Sequence, residues 1–141
     1  RRKGMVRRTV KLIADTNVLI RAIIMDDIAQ AQTAQSILSD ADLIVVPLPV
    51  LCELCWVLKR QYGVSRAEIA DVIRTLVEST NVRTEIAAVE AGLAVLEAGG
   101  DFADGVIAHQ GRVLGGDVFL TFDTKASRLL EDTGQRIHLL Q

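Results

Sequence analysis

Two short apolar runs near opposite ends of the chain, residues 10–14 (VKLIA) and 118–122 (VFLTF), each stop directly on an aspartate, Asp15 and Asp123. Runs of this length and composition are strands, and a run without clear polar alternation suits a strand covered on both faces. A third run, residues 43–46 (LIVV), lies between them, and short candidates follow at 82–84 and 136–139. The intervening stretches carry helical periodicity: 16–24, 28–38, 50–62, 66–79, 86–98, 103–114 and 125–131. Gly63, Gly99, Gly100, Gly115, Gly116 and Gly134 sit where those helices should stop, and residues 65–68 (SRAE) form a capping-box pattern opening the fourth. Strands alternating with helices predict parallel pairing through right-handed crossovers. The expected fold is therefore α/β, a three-layer α/β/α sandwich with a central parallel sheet of four to five strands.

Composition supports that class. Half of the residues are hydrophobic but only 4 % are aromatic, so the apolar mass is Val, Ile, Leu and Ala, which suits buried strands covered by helices. At 141 residues the chain is long enough for one domain and short for two, and no repeat, low-complexity segment or linker divides it. The expected organisation is a basic arm over residues 1–9 and one domain over 10–141. Met5 offers a native start, which would make residues 1–4 an upstream remnant. A mean hydropathy of +0.30 is high for a small soluble domain and predicts apolar surface hidden in a partner or a second copy.

The longest uncharged apolar run near the sheet, residues 43–52, is too short to span a bilayer and contains Pro47 and Pro49. Cys52 and Cys55 are the only cysteines, too few for a disulfide framework. Together these predict a cytoplasmic protein. The net charge of −2 conceals an asymmetry: Arg1, Arg2, Lys3, Arg7, Arg8 and Lys11 precede the first acid, leaving 10 of the 16 basic residues against all 18 acidic ones. An acidic body is not that of a general phosphate-backbone binder, so nucleic acid would be handled there with the help of metal ions.

In an open α/β sheet, ligands bind outside the carboxyl ends of the strands. Asp15 and Asp123 both fall at that edge, although each, like Thr16, Asn17 or Thr124, also has the ordinary role of helix cap. Glu53 interrupts an apolar run on the third helix, and Asp104 lies in the first turn of the sixth, three residues after Asp101. Singly, both have the bland explanation of a carboxylate near a helix N-terminus. Jointly they are harder to dismiss. Acids gathered at one pocket repel one another and favour their neutral forms, a problem that a divalent cation removes. Hard oxygen donors select Mg²⁺ or Mn²⁺, and such an ion supports phosphoryl chemistry.

Other residues carry weaker signals. Cys52 and Cys55 lack the second pair or nearby histidine that zinc needs, and fit helix packing. His109 does not share a helix face with Asp104, and His138 is incidental. Trp56 and Tyr62 are assigned to a core or an interface rather than to base stacking. Lys59, Arg60, Arg112 and Lys125 are candidate phosphate contacts that also read as solvated helix faces. No P-loop, dinucleotide fingerprint or Ser–His–Asp arrangement is present.

Taken in order, Asp15-Thr16-Asn17 after a strand, Glu53 on a helix, the run DFAD at 101–104 followed by GVIA, and Thr121-Phe122-Asp123 after a strand resemble the PIN-domain family, and within it the VapC-type toxins. The likeness spans the chain from Val10 to Leu139. It implies a doubly wound α/β/α domain that pairs as a homodimer, Mg²⁺- or Mn²⁺-dependent ribonuclease activity, and inhibition by a small VapB-like antitoxin. Asp15, Glu53, Asp104 and Asp123 match the four acids. Of these, Asp15, Asp104 and Asp123 are implied as metal ligands, and Glu53 as a further ligand or the group that orients water. Asp101 matches an auxiliary acid, and Thr16, Asn17 and Thr121 match polar neighbours that orient ligands or water. The implied reaction is hydrolysis of RNA, with transfer RNA a target, to 5′-phosphate and 3′-hydroxyl ends. Gly105 departs from the expected alanine and should loosen its helix slightly.

Two other classes stay open at this stage. An acid-pocket phosphatase of the Asp-x-Asp type would want an aspartate where Asn17 stands, and a phosphoacceptor domain would want a lysine in a setting other than that of Lys125. A non-catalytic protein-binding module would use the apolar surface alone.

Overall fold

The computed structural model describes residues 8–141. Most of the basic arm, residues 1–7, lies outside the described residues. The chain runs β1 (Lys11–Ile13), α1 (Thr16–Ile24), α2 (Ile28–Asp40), β2 (Leu43–Val45), α3 (Leu48–Arg60), α4 (Arg66–Glu78), β3 (Val82–Arg83), α5 (Ile86–Glu97), α6 (Phe102–Val113), β4 (Val118–Thr121), α7 (Thr124–Asp132) and β5 (Arg136–Leu139). Every expected strand and helix is present, and the class is α/β. None of these helices is long and apolar enough to cross a membrane.

Local chemistry explains the boundaries. Pro49 sits in the first turn of α3, where its missing N–H costs nothing, so that helix begins two residues before its periodicity does. Ser65 caps α4 as its pattern predicts: the Glu68 N–H donates to Ser65 Oγ at 3.2 Å, while the Glu68 side chain returns to the Ser65 hydroxyl rather than to its backbone N–H, Ser65 Oγ donating to Glu68 Oε1 at 3.0 Å. After α5 and α7 the chain turns through Gly99 (φ 104°) and Gly134 (φ 92°), left-handed positions that a side chain would strain.

All strand pairings are parallel, as expected, but they form two ladders. One has the order β1-β2-β3, with Lys11, Leu12 and Ile13 opposite Leu43, Ile44 and Val45; the other pairs β4 with β5. The expected single sheet of four to five strands is thus divided into three and two. No ladder hydrogen bond joins β1 to β4 among the described residues, and side chains beside their free edges stand in solvent, with Ile13 77 %, Leu120 62 % and Phe122 72 % exposed. An apolar groove of about 540 Å³ runs along β1, walled by residues of α1 and α2.

The main core lies between the three-stranded ladder and helices α1, α3, α4, α5 and α6. Val46, Leu51, Leu54, Leu58, Ile69, Ile73 and Val89 are among its fully buried members. A smaller cluster of Val95, Ala108 and Leu130, flanked by Phe119 and Ile137, holds β4, α7 and β5 against α5 and α6.

Candidate active site

Asp15 follows β1 directly. Its extended backbone ends the strand, and its Oδ1 accepts from the Thr16 N–H at 2.8 Å, capping α1. Asp123 repeats the arrangement after β4: Oδ1 accepts from the Ala126 N–H at 3.0 Å and caps α7. Thr121 shapes that turn, its Oγ1 accepting from the Asp123 N–H at 3.0 Å. Capping therefore engages one carboxylate oxygen of each aspartate and leaves the other at the strand's carboxyl end. The ordinary role and a ligand role are compatible in the same side chain. Thr16, the first residue of α1, is buried, whereas Asn17 lines the groove beside β1.

Asp104 and Asp101 flank the start of α6. The Asp101 carboxylate makes no capping hydrogen bond, so the two are not the capping pair that their spacing suggests; only the Asp101 carbonyl accepts from the Asp104 N–H, at 3.1 Å. Asp104 is partly buried, and its carboxyl is pushed above the usual aspartate value by burial first, then by the charges of Asp101 and Asp123. The charges of two other predicted acids thus reach Asp104, although Asp123 lies beyond β4. No salt bridge offsets Asp104 among the described residues.

Asp15 and Glu53 are not among the charges that act on Asp104. Asp15 ends a strand of the other ladder, and Glu53 stands exposed on α3. Accordingly, no three acids, histidines or cysteines among the described residues are placed closely enough to form a preassembled metal site. Unscreened carboxylates repel, so nothing in the protein alone draws them together. The chemistry of the set nonetheless fits a hard divalent cation. The donors are all carboxylate oxygens, and the central one is half-buried with like charges beside it and no cation among the described residues to balance them.

The remaining candidates separate cleanly. Burial raises the Cys52 thiol, and burial together with its neighbour pushes Cys55 up to about 12, so both are inert packing groups. Arg112 donates to Gln135 Oε1 and is engaged structurally, whereas Lys59, Arg60 and Lys125 are exposed. Trp56, assigned from sequence to a core or an interface, is 58 % exposed and is no core residue.

Sequence reasoning misjudged Gly105. A Cβ there would lie 2.7 Å from the carbonyl carbon of Ala91 and 2.8 Å from the Cα of Gly92. The residue that departs from the expected alanine is one where α6 lies directly against the α5 backbone, immediately after Asp104. The signal was the glycine itself.

Among comparisons with known proteins, the sequence profile of the PIN domain matches residues 12–131, from β1 into the last helix. No curated protein matches the chain. PIN domains are generally metal-dependent nucleases that bind nucleic acid and often occur in toxin–antitoxin systems. With that match covering the strands and helices that carry all four acids, the chain belongs to the PIN-domain family.

Proposed function

We propose that this protein is a VapC-type toxin: an endoribonuclease that hydrolyses RNA, transfer RNA being its target class, with Mg²⁺ or Mn²⁺ held by Asp15, Asp104 and Asp123. The observation that carries the reading is the half-buried Asp104 carboxylate, pressed by Asp101 and Asp123 and, among the described residues, balanced by no cationic side chain. The proposed organisation is a single domain over residues 10–141, working as a homodimer in the cytoplasm under a small VapB-like antitoxin. High mean hydropathy and the apolar groove along β1 support a protein that covers surface with partners.

The proposal includes one sheet of order β3-β2-β1-β4-β5 between two helical layers. Both free edges and their exposed apolar residues, Ile13, Leu120 and Phe122, support this. Strands β1 and β4 side by side would set Asp15 and Asp123 at adjacent carboxyl ends, next to Asp104. A divalent cation held by Asp15, Asp104 and Asp123 would lower the cost of ionising water and balance charge that develops on a phosphodiester. Glu53 orients the attacking water, with Asp101, Thr16, Asn17 and Thr121 holding the polar neighbours in place. Water's oxygen bonds to phosphorus as the P–O3′ bond breaks. Its proton goes to the departing oxygen, which leaves 5′-phosphate and 3′-hydroxyl ends.

The test is an incubation of the purified chain, stripped of any bound partner, with total RNA, transfer RNA and duplex DNA in Mg²⁺, Mn²⁺ or EDTA. RNA should be cut only in the metal lanes, and the duplex should remain whole. Cutting that persists in EDTA would contradict the proposal, as would inactivity in both metals from a chain that also binds neither.

A further inference from the structure

The lower half of α3 carries chemistry that the acid cluster does not use. Trp56 is the chain's single tryptophan and stands 58 % exposed; Lys59 and Arg60 follow it at i+3 and i+4, the spacings that place side chains together on a helix surface. All three line a pocket of about 180 Å³ whose far wall is Gly100, Asp101 and Ala103, the start of α6. Neither the Lys59 nor the Arg60 side chain has a hydrogen bond or ion pair among the described residues. Two unneutralised cations on an otherwise acidic body, next to an exposed indole, form a local exception to the charge of the protein.

We propose that the Trp56–Lys59–Arg60 pocket is the subsite that holds one nucleotide of single-stranded RNA beside the cleavage position, its base stacked on Trp56 and its phosphate on Lys59 and Arg60. The proposal rests on the nuclease reading and deepens it. Stacking on an aromatic side chain is tolerant of base identity, and adjacent cations track the backbone, the combination by which proteins grip single strands. The pocket is too small to engulf a drug-sized ligand, which needs about 300–1,000 Å³, and suits one planar base. Its position also suits the chemistry. Asp101 forms its wall and acts electrostatically on Asp104, so a strand seated there enters the acid cluster directly. Glu53 lies three residues before Trp56 and seven before Arg60, about two turns along the same helix, so the strand would run along α3 from its cations to its acid.

A single tryptophan makes the test direct. A single-stranded oligoribonucleotide of about ten nucleotides is titrated into the full chain in EDTA, so that binding is read without cleavage. Tryptophan emission should fall with saturation, and more salt should weaken the binding. The double variant Lys59→Ala/Arg60→Ala and the variant Trp56→Ala should each weaken affinity, read by oligonucleotide anisotropy, about tenfold, while Trp56→Phe retains most of it. Unchanged emission with undiminished affinity in these variants would overturn the subsite and leave the nuclease reading intact. A chain that cuts RNA in Mg²⁺ but shows no oligonucleotide binding through this face would do the same, and failure of both assays would remove both proposals. Trp56 becoming shielded from acrylamide as protein concentration rises, with no RNA present, would instead assign the face to a second copy of the chain and overturn the subsite.

Discussion

Asp104→Asn should cut RNA cleavage sharply and at the same time make the metal-free protein more stable. The loss of activity should be about 10³-fold, corresponding to roughly 4 kcal/mol of transition-state stabilisation. The stability gain has an independent cause. Burial, Asp101 and Asp123 raise the Asp104 pKa in the folded state, so that state prefers the carboxyl protonated. Its full contribution to stability is present below the pKa of an unfolded aspartate and is lost as pH rises through the raised, folded value. Asparagine carries no charge at any pH and escapes that loss. At neutral pH without metal the variant should exceed wild type in stability, read as a higher Tm. The difference should vanish as the medium is acidified through the aspartate range. Added Mg²⁺ or Mn²⁺ should raise the Tm of wild type more than that of the variant, because only a ligand bound to the folded state stabilises it. Thermal melts across pH, with and without metal, check all three results; a variant less stable than wild type at neutral pH would contradict the electrostatic account.

Gly105→Ala is the second large effect, and its sign is diagnostic. Helix propensity alone favours alanine over glycine by about 1 kcal/mol, so the substitution read from sequence should stabilise α6. The packing says otherwise. The new methyl would press on the α5 backbone at Ala91 and Gly92, and backbone cannot rotate aside as a side chain can. Overpacking of this kind should outweigh the propensity gain and lower stability by about 2 kcal/mol net, or about 8 °C in Tm. Cleavage should fall as well, because moving α6 away from α5 displaces the preceding residue, Asp104. A rise in Tm would show that the two helices separate freely and that the close approach carries no structural weight.

What the sequence disclosed was local. Strand runs ending on Asp15 and Asp123, the helix cap at Ser65 and the glycines after α5 and α7 are written in a few adjacent residues, and each formed as expected. The acids were legible for the same reason, since a carboxylate after a strand or inside an apolar helix is conspicuous. Depth and distance were not. Periodicity marks Trp56 as apolar surface on a helix but does not say whether a neighbour covers it, and the structure leaves it open. Gly105 looked like a minor weakness because the backbone it approaches lies on another helix, fourteen residues earlier at Ala91. Strand alternation likewise says that β1 and β4 are parallel members of an α/β fold, yet no local pattern states which edges meet. The two ladders, with Asp15 on one and Asp123 on the other, carry that ambiguity into the site itself.

The central claim is that Asp15 and Asp104, on different elements and not yet in electrostatic contact, serve one cation. Its most direct test is a titration of the purified chain with Mn²⁺, followed by electron paramagnetic resonance, for wild type, Asp15→Asn and Asp104→Asn. The account predicts that wild type binds and that each single substitution weakens binding by at least about tenfold, the scale of losing one ligand's 1.4 kcal/mol or more. Binding by Asp15→Asn equal to wild type would contradict it, leaving Asp15 as the cap of α1 and nothing more.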